Sequence, residues 1–136
     1  MLELVGQALA YAGVGIGILA AGYFVVDALT PGNLGKQVCD DGNPNAAVLL
    51  GSFLISLGLV EWFAIFFTGS GWSGLDDALV FGLVGLATQA VGFMVMDLVT
   101  PGKLGATLMR DTFHPGTIMA AAMQISIALV VCASLT

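Results

Sequence analysis

The sequence predicts an all-α membrane protein: four transmembrane helices arranged as two tandem two-helix repeats, related by a pseudo-twofold axis along the membrane normal, with short interfacial helices in loops 1 and 3. Three observations carry this. Four apolar runs are each about 20 residues or longer, the length needed to cross an ~30 Å hydrocarbon core. The chain is also written twice. A shift of about 70 positions lays Gly22, Asp27, Thr30, Pro31, Gly32, Leu34 and Gly35 on Gly92, Asp97, Thr100, Pro101, Gly102, Leu104 and Gly105. It also lays Asp41, Ile55, Ser56, Leu59 and Val60 on Asp111, Ile125, Ser126, Leu129 and Val130. Finally, 58% of the residues are hydrophobic and 9% charged. Soluble domains carry about 25% charged residues, so this chain has too little polar surface to face water.

The length of 136 residues gives a single membrane domain, with repeat one over 1–70 and repeat two over 71–136. The formal net charge of −6 argues against nucleic acid as a partner, because phosphate neutralisation needs Lys and Arg. Only Lys36, Lys103 and Arg110 are present, and they form no patch.

The first span runs from Leu4 to Leu29. Met1-Leu2-Glu3 lacks the basic region of a signal peptide and the apolar stretch is too long for one, so it reads as a retained span. Loop 1 carries Thr-Pro-Gly-x-Leu-Gly. Thr30 suits a helix N-cap with Pro31 at the first helical position. Leu34 and Val38 then recur at i+4, which predicts a short amphipathic helix in the membrane interface. The second span runs from Ala46 to Thr68. Loop 2, Gly69-Ser70-Gly71-Trp72-Ser73-Gly74, is a tight turn with an interfacial Trp. The third span runs from Leu75 to Val99. Loop 3 repeats the first motif, with Thr100 and Pro101 as cap and first helical residue and Leu104 with Leu108 at i+4. The fourth span runs from Gly116 to Leu135. Helices are required throughout, since lipid leaves each backbone group to be satisfied within its own segment.

All three basic residues fall in loops 1 and 3, whereas Glu3, Asp76 and Asp77 lie at the other ends of the spans. The positive-inside rule then makes loops 1 and 3 cytoplasmic and both termini extracytoplasmic. Repeats of two spans insert in the same sense, as in parallel transporter repeats.

Small residues let helices approach in lipid, and polar side chains add hydrogen bonds. Three stripes qualify as seams: Ala10, Gly13, Gly17, Ala20 and Asp27; Ala78, Gly82, Gly85, Gln89 and Gly92; Gly116, Ala120, Gln124, Ala128 and Cys132. The helical rise places Gln89 and Gln124 ~15 and ~12 Å from the cytoplasmic ends of their spans. They are expected to meet near the midplane, with Ser56 and Ser126 at similar depth. Two readings stand: interhelical glue, or a polar layer lining a solute path. Glu61 lies ~10 Å inside the outer end of span two, with no basic residue at its depth. Membrane carboxyl groups face the bundle interior or a wet cavity. Glu61 is thus an interfacial carboxylate beside Trp62, a proton- or cation-exchanging group, or a subunit contact. Asp27 and Asp97, one turn before each Thr-Pro, either bond amides of the interfacial helices or form a cation-attracting mouth. His114 reads as structural, having no second ligand at metal spacing. Cys39 and Cys132 fall on opposite sides and cannot bridge, since disulfide Cα atoms lie within about 7 Å. No phosphate-binding loop or nucleophile motif is present, so neither catalytic residues, cofactor nor metal are expected.

At Leu29-Thr30-Pro31-x-x-Leu34, then Asn45-Ala46-Ala47-Val48-Leu49-Leu50-Gly51 and Leu57-Gly58, the chain resembles the bacterial membrane family known as domain of unknown function 350. The resemblance implies one or two copies of a two-helix unit in the bacterial inner membrane, and supplies no activity. The second copy departs from the pattern: Pro115-Gly116-Thr117 stands where Asn45-Ala46-Ala47 stands in the first. The expected function is a non-enzymatic subunit or scaffold, forming a homo-oligomer or joining a membrane-protein partner. The alternative is an oligomeric channel or proton- or cation-coupled transporter using Glu61 and the Gln/Ser layer.

Overall fold

The computed structural model describes residues 1–30, 32–68, 70–100, 110 and 112–136. Among them are five α-helices: α1 (Leu2–Leu29), α2 (Leu34–Cys39), α3 (Pro44–Phe67), α4 (Gly74–Val99) and α5 (Pro115–Ser134), with a 3₁₀ turn over Gly71–Ser73. No strand occurs among these residues. The four long helices are each apolar enough to cross a membrane. Their ends fall within two residues of the predicted spans.

Local chemistry fixes those ends. α3 opens on Asn43, whose side-chain oxygen accepts the N–H groups of Asn45 (3.0 Å) and Ala46 (3.3 Å), with Pro44 at the first helical position. α5 opens the same way, on His114 followed by Pro115, and His114 Nδ1 accepts the Gly116 N–H at 3.0 Å. α3 and α5 therefore each begin with a side-chain cap and a proline, which lacks an N–H that would be orphaned there.

The Thr-Pro boundary is reversed from expectation. Thr30 is the C-cap of α1: its N–H bonds Val26 O at 3.0 Å, and its hydroxyl bonds the same carbonyl at 2.9 Å. Thr100 ends α4 likewise, with its hydroxyl 2.6 Å from Met96 O. A residue preceding proline is pushed out of the helical region, which is compatible with the extended conformation in which Thr30 and Thr100 end their spans. The N-cap of α2 is Asn33, whose side chain accepts the Lys36 N–H at 3.0 Å. Between them Gly32 turns the chain at a φ of 83°, a left-handed conformation that suits glycine. Pro31, Pro101 and the expected helix around Leu104 and Leu108 lie outside the described residues.

α3 is the central helix. It packs on α1, α4 and α5, most extensively on α5, and α2 leans against it. One core cluster joins Val26, Leu34, Ala46, Phe53, Leu57 and Leu86. A second joins Leu49, Phe93, Met96 and Ala120, and a third Val60, Ala128, Val131 and Cys132. Leu34 and Gln37 of α2 are buried against the bundle. Exchange of the two halves would require an α1–α5 seam to match α3–α4, and no seam of comparable extent joins α1 to α5.

The expected seams divide. Ala78, Gly82, Gly85 and Gln89 of α4 are buried, as are Ala120, Gln124, Ala128 and Cys132 of α5. A Cβ on Gly92 would collide with Ile127 of α5, and one on Gly85 would come within 2.6 Å of Val60 Cγ1. The α1 stripe is different: Gly13, Gly17 and Ala20 are exposed. The core face of α1 consists of Ile18, Gly22 and Val26 instead, and a Cβ on Gly22 would collide with Leu57.

Candidate functional site

Glu61 projects from α3, ~9 Å before the helix ends at Phe67 by the helical rise. It is only 4% exposed. Glycine makes its place: a Cβ on Gly82 of α4 would run into Glu61 Oε2, and one on Gly15 of α1 would lie 4.0 Å from its Cγ. Neither carboxyl oxygen has a hydrogen-bond partner among the described residues. The side chain contributes to the wall of a cleft of about 290 Å³ between α1 and α3, lined also by Tyr11, Ala12, Gly15, Leu19, Gly58, Trp62 and Ile65. Tyr11 reaches from this cleft to the end of the bundle, where its hydroxyl donates to Gly71 O at 2.8 Å. Trp62 is half-exposed and stacks on Phe66 at a centroid distance of 5.6 Å. Trp72, in the neighbouring turn, is half-exposed too, so aromatic rings collect at this end of the molecule.

Gln89 and Gln124 come together in the core, both essentially inaccessible. Their contact is not amide to amide: Gln89 Nε2 donates to the main-chain carbonyl of Gln124 at 3.2 Å. The side-chain oxygens of both are buried without a partner. The serines do not complete a layer. Ser56 is buried and donates to Ser52 O of its own helix at 2.7 Å. Ser126 is exposed on α5 and bonds Ala122 O at 2.8 Å. A mid-span hydroxyl satisfied by its own helix is free to face outward, which is why equal depth did not bring the four together.

Asp27 Oδ1 accepts the Leu34 N–H at 2.6 Å, tying the first amide of α2 back to the last turn of α1. Asp97 lines a smaller cleft of about 240 Å³ with Leu29, Phe93, Met94 and Leu98. Asn45, fully buried at the start of α3, is bonded through both ends of its amide. Its amide donates to the carbonyls of Arg110 (3.2 Å) and Thr112 (2.9 Å). Its Oδ1 accepts the His114 N–H (2.9 Å) and the Thr117 hydroxyl (2.8 Å). Asn45 thus fixes the approach to α5 across the boundary between the halves.

With these residues placed, comparison with known proteins gives the lineage. The family model described as Domain of Unknown Function (DUF350) matches residues 1–135. The chain belongs to the DUF350 family. Relatives of this DUF350 chain include a UPF0719 transmembrane protein of Mycolicibacterium paratuberculosis, 33% identical over 127 residues, covering 93% of this chain and 84% of the relative. UPF0719 transmembrane proteins of Mycobacterium bovis and Mycobacterium tuberculosis are each 32% identical over 124 residues, covering 90% of this chain and 82% of theirs. No solved structure matches. Composition, four spanning helices and these relatives agree that this DUF350 protein is a membrane protein.

The clamp at Asn45 is the feature of the DUF350 chain that residue chemistry alone passed over. Its only sequence signal was the unequal second repeat, with Pro115-Gly116-Thr117 opposite Asn45-Ala46-Ala47. Thr117, which stands opposite Ala47 in that register, is the residue whose hydroxyl donates to Asn45 Oδ1. Among the described residues the structure brings Gln89 to Gln124 and Asp27 to α2, and it leaves Glu61 apart from all of them. His114 caps a helix, and Cys39 and Cys132 are free thiols.

Proposed function

We propose that this DUF350 protein is a non-enzymatic subunit or scaffold of the bacterial inner membrane, which acts by packing helices against a second copy of itself or another membrane protein. The supporting observation is the uncovered small-residue face of α1. Gly13 and Gly17 are exposed, and a Cβ on either would meet nothing within 4 Å. A Gly-x-x-x-Gly pair in an apolar span is a helix-docking surface, because the backbones can approach closely. α1 is also the least covered span, with 17% of its most apolar window buried against 44% for α3. Its small-residue seam serves no contact inside the bundle, so it remains for one outside.

In this reading the chain crosses the membrane four times with loops 1 and 3 cytoplasmic and residues 1 and 136 outside, following the distribution of Lys36, Lys103 and Arg110. The Gln89–Gln124 pair is glue, sealed in the core. The test is association in mild detergent, measured by light scattering and by cross-linking in native membranes. Wild type is expected to be oligomeric, and Gly13→Leu with Gly17→Leu to shift it to smaller species with helicity unchanged. A variant that associates as wild type does would sink the proposal.

The second reading, an oligomeric channel or proton- or cation-coupled transporter, is favoured by one observation, the unpartnered carboxyl of Glu61. Flux into liposomes that is equal for wild type and Glu61→Gln would remove that carboxyl from any transport.

A further inference from the structure

We infer that the α1–α3 cleft is a binding site for a small hydrophobic amine, whose ammonium group pairs with Glu61 while its apolar body fills the cleft. Two independent observations meet here. Glu61 is 4% exposed and both of its oxygens lack a partner among the described residues. The cleft that Glu61 walls is open, about 290 Å³ in volume and otherwise apolar. The carboxyl oxygens themselves are buried on the α4 side against Gly82, so pairing requires the carboxyl to turn about its side-chain bonds into the cleft. Polar groups buried in proteins are otherwise bonded, and each exception calls for a cause.

The chemistry of the missing partner follows from the chain. A buried carboxylate calls for a cation that also donates hydrogen bonds. No Lys, Arg or His lies in the second span or in the part of α1 that lines the cleft, and the three basic residues belong to loops 1 and 3. A second copy inserted in the same sense brings the same three residues at the same end, so self-association cannot supply the charge. The cleft walls select the rest of the ligand. Tyr11 and Trp62 offer aromatic faces for a cation, and Ala12, Gly15 and Gly58 leave room between the helices. Ligand pockets start at about 300 Å³, so this cleft suits a single ring on a short chain. On the helical wheel the cleft residues of α1 lie opposite Gly13 and Gly17, so the site does not depend on the association proposed above.

The test is equilibrium binding of phenethylamine to the purified full-length protein in detergent, with empty micelles subtracted. Phenethyl alcohol, the same body bearing a hydroxyl, is the neutral control. Saturable binding of one amine per chain is expected, with the alcohol weaker by about tenfold or more. Glu61→Gln should bring the amine down to the level of the alcohol, at unchanged helicity. Gly58→Leu puts a larger side chain into the cleft from a position where a Cβ meets nothing within 4 Å; it should abolish binding of both. Equal binding of amine and alcohol would overturn the inference, as would a Glu61→Gln or Gly58→Leu variant that folds and binds the amine as wild type does. Absence of saturable binding to wild type would overturn it too, and would leave a basic side chain of a partner helix as the group that meets Glu61.

Discussion

Asn45 and the Gln89–Gln124 pair are both buried amides, and they sit in opposite energetic positions. Asn45 satisfies all four of its hydrogen-bonding positions, two as donor and two as acceptor. Removing it strands buried partners, at about 1–3 kcal/mol. Asn45→Ala is therefore expected to lose about that much stability in a denaturant titration in mixed micelles, and Asn45→Asp to lose at least as much, because it deletes both donors. Gln89 makes one bond of 3.2 Å and keeps an orphaned oxygen. Interhelical bonds of this kind average ~0.6 kcal/mol, and deleting the side chain also removes the unpaired oxygen. Gln89→Leu should stay within about 1 kcal/mol of wild type in the same titration; a larger loss would show that the pair does more than join helices. Depth along the spans was enough to bring the two glutamines together from sequence. Depth says nothing of azimuth, however, so Ser126 turned outward and the bond went to a main-chain carbonyl. The Asn45 clamp was illegible because its partners lie 65 to 72 positions away and three of the four are backbone groups, which carry no signal in side-chain chemistry.

Glycine decides how close the helices come. Gly22, Gly85 and Gly92 stand where a methyl group would strike Leu57, Val60 and Ile127, respectively. Gly13, Gly17 and Gly51 stand where it would strike nothing. Sequence periodicity registers both sets alike, since a small-residue stripe marks a helix that can be approached, not one that is. This is why the α4 and α5 seams were legible, whereas Gly13 and Gly17 of the α1 stripe meet no neighbour within the bundle. The contrast is measurable. Gly85→Leu overpacks the α3–α4 contact and should cost about 1–3 kcal/mol or more in unfolding measurements. Gly51→Ala, with an open Cβ position, should leave both stability and helicity where they were. The Thr-Pro boundary was misread for a related reason. A threonine before proline fits an N-cap and a C-cap equally well, because both positions tolerate the extended conformation that proline forces on its predecessor. The side-chain and main-chain bonds of Thr30 back to Val26 O decide for the C-cap. α1 therefore ends at Thr30, and the start of α2 falls to Asn33.

Taken whole, the two halves of the chain share a sequence pattern but hold different places in the fold. Length and apolar runs made the four spans legible to within two residues, because lipid imposes a strict minimum on each. The relation between halves was only partly legible: both second spans begin with a capping residue and a proline, yet α3 lies at the centre and α5 does not. Orientation is the property on which the placement of every polar group depends, and the two free thiols allow it to be measured without engineering. Cys39 ends α2 in loop 1, three residues from Lys36, and is exposed, whereas Cys132 is 2% exposed within α5. If the basic loops are cytoplasmic, a membrane-impermeant maleimide should label the protein in inside-out vesicles and spare it in right-side-out ones. Cys39→Ser should abolish that labelling, and Cys132 should react only after unfolding. Labelling confined to right-side-out vesicles would invert the molecule, moving Asp27 and Asp97 to the outer face and opening the Glu61 cleft toward the cytoplasmic leaflet. An amine reaching Glu61 would then arrive from inside the cell rather than from outside it.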